Sequence, residues 1–143
     1  MLEPGARAGA ISGEMRTKLI PLVAVLFAGA CGNGDSVTGG APVTETFTGT
    51  LSSMAADTHS VTMAGDGEID VTLTALSPQS TITVGLGIGQ SVSGVCQFAT
   101  YVESARVGTL LPTALTAGTY CVAIYDVGNI QGSDSYTLTV THP

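Results

Sequence analysis

Residues 118–142 read GTYCVAIYDVGNIQGSDSYTLTVTH. The second half alternates: Tyr136, Leu138 and Val140 fall on one side, Thr137 and Thr139 on the other. That is the two-residue period of a strand with one face buried and one face wet. The first half is apolar on both sides, with Tyr120, Val122 and Ile124 set against Cys121, Ala123 and Tyr125. A strand of that kind is expected at the centre of a sheet, covered above and below. Gly128, Asn129 and Gly132 supply the turn between the two.

Further upstream the same signals repeat. THSVTMA places His59, Val61 and Met63 on one face, and EIDVTLTAL places Ile69, Val71, Leu73 and Ala75 on one face. Gly65-Asp66-Gly67 lies between them, which predicts a β-hairpin. Ser77-Pro78-Gln79 breaks the chain, and TITVGLGI resumes the alternation through Ile82, Val84, Leu86 and Ile88. VCQFATYV and ARVGTLLP follow. No helix-length amphipathic pattern is present. About eight short strands separated by turn residues predict an all-β antiparallel sandwich.

Ahead of these strands stands LIPLVAVLFAGAC, residues 19–31, preceded by Met15-Arg16-Thr17-Lys18. A charged start, twelve almost uninterrupted apolar residues and a run of small residues form the layout of a secretory signal. Twelve residues are too few to span a bilayer, which takes about 20. The cysteine at the cleavage point makes the stretch resemble a bacterial lipoprotein signal, the lipobox. The resemblance implies that Cys31 is diacylated and becomes the first mature residue. Ala28 departs from it, because a larger aliphatic is commoner there, and an ordinary cleaved signal is the other reading. The expected organisation is a signal region over 1–30, a lipidated cysteine with a Gly-rich tether over 31–42, and a β-sandwich domain over 43–143. The location that follows is the cell envelope, exported and lipid-anchored.

From Cys31 onward the chain holds nine acidic residues and one base, Arg106, with no lysine, so its formal charge is −8. Nucleic acid binding needs clustered cations to displace counterions from phosphate, and is excluded. Attraction to anionic headgroups is excluded on the same ground. Membrane contact falls to the acyl chains on Cys31, at about 0.8 kcal/mol per buried methylene. With Cys31 given to lipid, Cys96 and Cys121 remain, and an oxidising destination favours a disulfide between them. Closing a loop of about 26 residues contributes roughly 3 to 4 kcal/mol in the chain-entropy picture.

Chemistry is sparse. A zinc site built from Cys96, Cys121, His59 and His142 would lack the paired ligands that zinc sites use. Calcium is the better metal candidate, with Asp126 and Asp134 flanking the last turn as the first pair to inspect; no cofactor is otherwise expected. No G-x-S-x-G motif appears, and His59 is expected mid-strand, so no catalytic residue is assigned. Glu68 and Asp70 are expected to face solvent together from one strand. Gly85-Leu86-Gly87-Ile88-Gly89 lacks the spacing and the following helix of a phosphate loop, and is expected to be a twisting or bulged strand. Outward threonines recur at 72, 74, 81, 83, 137 and 139. Tryptophan is absent and most of the other aromatic residues are expected in the core, which counts against a sugar-binding platform.

Ala117-Gly118-Thr119-Tyr120 and Tyr136-Thr137-Leu138-Thr139-Val140 resemble the C-terminal signature of the bacterial pre-peptidase C-terminal (PPC) domain, in which an aGtY turn opens one strand and a Y-x-L-x-V strand ends the fold. The hairpin-like stretch HSVTMAGDGEIDVTLTALSP is similar to the early strands of that family. The resemblance covers nearly all of residues 45–141. It implies a jelly-roll-like sandwich serving as a secreted accessory module, although no protease domain accompanies it here and the cysteine pair is no general mark of the family. The expected function is a non-catalytic, envelope-anchored interaction or structural module. The alternatives are a carbohydrate-binding module and an accessory to a separate secreted hydrolase. An envelope protein or a polysaccharide is the expected partner besides the membrane. Residues 1–14 fit no signal layout, so translation is expected to start at Met15. N-terminal sequencing of the unprocessed precursor should read Met-Arg-Thr-Lys, and a precursor beginning at Met1 overturns that start.

Overall fold

A computed structural model describes residues 40–143. The signal region, Met15, Cys31 and most of the tether lie outside the described residues. Eight strands are present: β1 (Val43–Ser52), β2 (Ala56–Met63), β3 (Gly67–Ser77), β4 (Val84–Val92), β5 (Val95–Ala105), β6 (Leu110–Leu115), β7 (Gly118–Tyr125) and β8 (Ser133–His142). They form two four-stranded sheets, β1-β8-β3-β6 and β2-β7-β4-β5, with every pair of neighbours antiparallel. This alternation of consecutive strands between two sheets is the order of an eight-stranded jelly roll.

The core lies between the sheets and is supplied by the alternation. Leu138 and Val140 of β8, Ile69, Val71 and Leu73 of β3, Val84, Leu86 and Ile88 of β4, and Val122 and Ile124 of β7 are fully buried. Burying each such side chain contributes about 1.5–3 kcal/mol. The inward positions of β8 run Asp134, Tyr136, Leu138, Val140 and His142, and their neighbours form the outer face. β7 sits between β2 and β4 and is buried on both faces, as its two-sided apolar pattern predicts.

Two local expectations are corrected. Gly65-Asp66-Gly67 does not close a hairpin. β2 pairs with β7, and β3 pairs with β6 and β8, so the turn carries the chain from one sheet to the other. Both strands do turn their apolar stripes into one core, but from opposite sides of it. Asp66 accepts a hydrogen bond from the Ala117 amide at 2.7 Å, which ties this crossover to the one between β6 and β7. In β3 the register shifts between Leu73 and Ala75, so Ala75 faces out and Leu76 takes the buried position. A bulge inserts one residue and exchanges the faces beyond it.

Among the described residues the β4–β5 pair is the one hairpin within a sheet. Its turn is Ser93-Gly94, both with positive φ (54° and 80°), between the paired Val92 and Val95. That is the two-residue turn suited to twisted strands. The hairpin does not stay in the plane of its sheet. On β4 the outward positions are Gly85, Gly87 and Gly89, and a Cβ on Gly89 would collide with the carbonyl oxygen of Gln97. The pairing also slips between Ile88 and Gly89, which face Thr100 and Phe98, leaving Ala99 extra. The glycine run is thus a strand, as expected, but the bulge expected there falls on its partner β5. Beyond the bulge β5 folds over the outside of β4 toward β7, and Cys96 and Cys121 are disulfide-bonded with their Cα atoms 5.8 Å apart. Strands separated by one intervening strand in a flat sheet lie about 9.6 Å apart, so the bend is what brings the two cysteines within bonding range.

Gly89→Ala should therefore cost at least ~3 kcal/mol, because the obstacle is backbone and cannot swing away. Gly94→Ala, with open space around it and only the positive φ to oppose it, should cost about 1–2 kcal/mol. Urea denaturation midpoints measure both, and equal losses would contradict the bent hairpin.

Candidate functional site

The bend turns the outer face of the β2-β7-β4-β5 sheet into a groove. Where β4 has no side chains, rings from its neighbours cover it: Tyr125 of β7 lies over Gly85, and Phe98 of β5 lies over Gly87. The two rings are 5.5 Å apart between centroids and within 18° of parallel, and Tyr101 follows at 6.3 Å from Phe98. Phe98 is 39% exposed and Tyr101 59% exposed. The expectation that most aromatic residues sit in the core fails for these three. In β5 the alternation that signals an inward face is weak, and the glycines that receive the rings are on a different strand. Burial, then the negative charge of Glu103, then Tyr101, push the Tyr125 phenol up from its ordinary range.

Two recesses flank the disulfide. One, about 470 Å³, runs beneath the hairpin tip over Ala56, Thr58 and Ala123, with Val95, Phe98 and Tyr125 as its apolar wall. The other, about 380 Å³, is lined by Thr58, Ser60, Gln90, Ser91 and Thr119 beside Cys121 and His59. Thr58 lines both. The disulfide clamps the hairpin tip above them, and Cys121 and Ala123 are buried under it.

Asp126 stands at one end of this groove, but its carboxylate is occupied. Burial works against its charge. The amides of Met54, Ile130, Asn129 and Gly128, which donate at 2.8–3.0 Å, outweigh that and hold the carboxyl below its ordinary range. Its role here is to fold the loop after β7. Asp134 is fully buried at the end of the core; Oδ1 accepts from the Gln79 amide at 3.1 Å and Oδ2 has no partner. The two carboxylates flanking the last turn thus serve different segments. Glu68 is exposed as expected, whereas Asp70 is half-buried with its Oδ1 unpartnered, because β3 is an inner strand with neighbours on both sides.

The histidines are placed apart. His142 is buried, with Nε2 bonded to Glu45 at 2.9 Å and Nδ1 3.0 Å from the Pro143 carbonyl. His59 belongs to a cluster that sequence reasoning did not assemble. The Tyr136 hydroxyl donates to Asp57 at 2.5 Å and accepts from His59 Nε2 at 2.6 Å, while Phe47 stacks on the imidazole at 4.6 Å. Gly49, paired with Tyr136, leaves the room: a Cβ there would lie 2.5 Å from the Tyr136 oxygen. Asp57 and His59 come from β2 and Tyr136 from β8, so the cluster joins the two sheets at one margin. The i, i+2 spacing of Asp57 and His59 was the available signal; the identity of the third member is a tertiary fact. Burial first, then the hydrogen bond to Asp57 and its charge, push the Tyr136 phenol well above its ordinary range. A phenol held protonated in this way is a hydrogen-bonding clip and a poor nucleophile. Among the described residues, no group of three or more histidines, cysteines and carboxylates is placed to hold a metal ion.

No family model matches this chain, and no curated protein matches it. Several solved structures are similar, among them these two. The pre-peptidase C-terminal domain of a collagenase from Bacillus anthracis is 15% identical with a TM-score of 0.49, over 67% of this chain and 89% of that one. PliG of Aeromonas hydrophila, a periplasmic inhibitor of g-type lysozyme, is 11% identical with a TM-score of 0.50, over 69% and 84%. The first bears the name of the family that the C-terminal motifs resemble; the second shows a shared fold and no more. Within the structure, the aGtY residues open β7 and the Y-x-L-x-V residues lie in β8. Tyr120 also donates its hydroxyl to the Thr116 carbonyl at 2.9 Å, which fixes the entry to β7.

The clip has a pH signature. Because folding raises the Tyr136 pKa above the ordinary value of about 10, its contribution to stability is complete below that pH and is lost as pH rises beyond it. In an alkaline titration the last phenolate to appear should coincide with loss of the far-ultraviolet circular dichroism of the fold. Tyr136→Phe should remove that step and destabilise the domain by about 1.5–3 kcal/mol, the worth of a hydrogen bond to a charged group. Wild-type and variant titrating alike would refute the clip.

Proposed function

We propose that this chain is a non-catalytic interaction module, exported to the bacterial cell envelope and held there by acyl chains on Cys31. In this reading its jelly roll binds a partner through the outer face of the β2-β7-β4-β5 sheet. The observation that carries this is the exposed pair Phe98 and Tyr101 beside a groove that the Cys96–Cys121 disulfide holds open. Aromatic side chains left in water next to a preformed recess are the usual makings of a binding hot spot. The remaining polar clusters support a non-catalytic role, since the groups that look most reactive, Asp57, His59 and Tyr136, are engaged with one another across the sandwich. A disulfide suits an oxidising compartment, and the signal-like stretch ending at Cys31 suits a lipid-anchored one.

Two measurements test the two halves of this reading. Cells fed a labelled fatty acid should incorporate label into the chain, and Cys31→Ser should abolish it; an unlabelled wild-type chain removes the anchor. Pull-down from envelope extract with the full chain should enrich a ligand whose recovery falls about tenfold or more in a Phe98→Ala/Tyr101→Ala variant. Equal recovery with both forms removes this face as the binding surface.

A further inference from the structure

We infer that the groove takes a neutral, hydroxyl-rich polymer, a polysaccharide chain, with Phe98 and Tyr101 as its stacking platform. This rests on the interaction-surface reading above and names the ligand class for the same face. The first reason is the shape of the platform. Tyr125 and Phe98 are laid over Gly85 and Gly87 and lie nearly parallel, and Tyr101 extends the row. Aromatic faces carry partial negative charge. The C–H-lined face of a sugar ring meets such a surface favourably, and successive residues of a chain can meet successive rings.

The second reason is the chemistry of the lining. Thr58 lines the recess walled by Phe98 and Tyr125, and across the disulfide the second recess adds Ser60, Gln90, Ser91 and Thr119. Hydroxyl and amide groups both donate and accept, which is what sugar hydroxyls require, whereas a carboxylate only accepts and an ammonium only donates. No cation lines either recess. The carboxylate that does, Asp126, already accepts four backbone amides, and His59 is held by Tyr136. Glu103 influences Tyr125 but lines neither recess. A polyanion would meet a chain of net charge −8 with no lysine from Cys31 onward. A basic peptide would find no free carboxylate in the groove, and an apolar helix would have to lie across the polar recess. The absence of free charge is thus matched by an uncharged ligand. The third reason is rigidity: the disulfide and the two-residue turn fix the overhanging tip, so little ordering is left for binding to impose.

The test uses the full chain, purified in detergent, in affinity electrophoresis through gels containing soluble starch, mixed-linkage β-glucan, hydroxyethyl cellulose or galactomannan, with alginate as the charged control. At least one neutral polymer should retard the chain. Phe98→Ala and Tyr101→Ala should each weaken that retardation about tenfold, and Tyr101→Phe should preserve it, since stacking needs the ring and not the hydroxyl. Leu110→Ala, on the other sheet, should leave it unchanged. Thermal melts show which variants are folded, and Tyr101, being the more exposed, decides the matter if Phe98→Ala is not. Retardation by none of the four neutral polymers, stronger retardation by alginate, or variants that bind like wild type would each overturn the inference. If no polysaccharide binds while the alanine variants lose an envelope protein in pull-down, the ligand class is wrong and the interaction surface stands. If the variants lose nothing in either assay, both readings fall.

Discussion

A strand without side chains on its outer face shapes everything distinctive in this domain. Gly85, Gly87 and Gly89 of β4 leave that face bare, and three other groups occupy the space: the Tyr125 ring, the Phe98 ring and the backbone at Gln97. An ordinary residue at any of these positions would lift its neighbour off the sheet. The bulge at Ala99, the fold-over of β5, the meeting of Cys96 with Cys121 and the overhang that makes the groove all follow from that closeness. The disulfide is a consequence of the bend as much as its fastener.

The two faces of that sheet divide the polar chemistry between them. On the inner side, polar groups are consumed in holding the sandwich shut. Asp57 and His59 of β2 grip Tyr136 of β8 across the sandwich, while His142 and Glu45 link the neighbouring strands β8 and β1 within the other sheet. Asp126 at the end of the groove and Asp134 at the end of the core organise loops through backbone amides. On the outer side the groove is lined by hydroxyls, an amide and rings. A histidine next to a carboxylate in a sequence invites a catalytic reading. Here the geometry gives those groups a structural one, because each is already satisfied by another.

The other outer face, on the β1-β8-β3-β6 sheet, is plainer. Thr46 and Thr48 of β1 stand opposite Thr139 and Thr137 of β8, and Thr72 of β3 also faces Thr139. Thr74 donates to the Thr137 carbonyl, and Thr44 and Thr141 are hydrogen-bonded to one another. Threonine is well suited to a half-exposed pleated surface, and this face reads as a wet side of a sandwich. Thr81 and Thr83, expected as outward strand residues, both precede β4 instead.

What the sequence by itself determined is the class of fold and the direction of most side chains. Alternation in β8, two-sided apolarity in β7 and the stripe in β2 are local properties with a period of two, and each strand obeys its own pattern whatever its neighbours are. The partner of a strand is not local. The runs on either side of Gly65-Asp66-Gly67 carry the same alternation whether they pair edge to edge or face one another across a core, and only the tertiary structure decided for the latter. The disulfide was legible by counting cysteines, but its geometry depended on a bend that glycines permit and no periodicity encodes. The groove and the Asp57–Tyr136–His59 clip were both hidden for one physical reason. Each is assembled from residues far apart in the chain, and what brings them together is packing between sheets and over bare backbone, which leaves no repeating mark in the order of the amino acids.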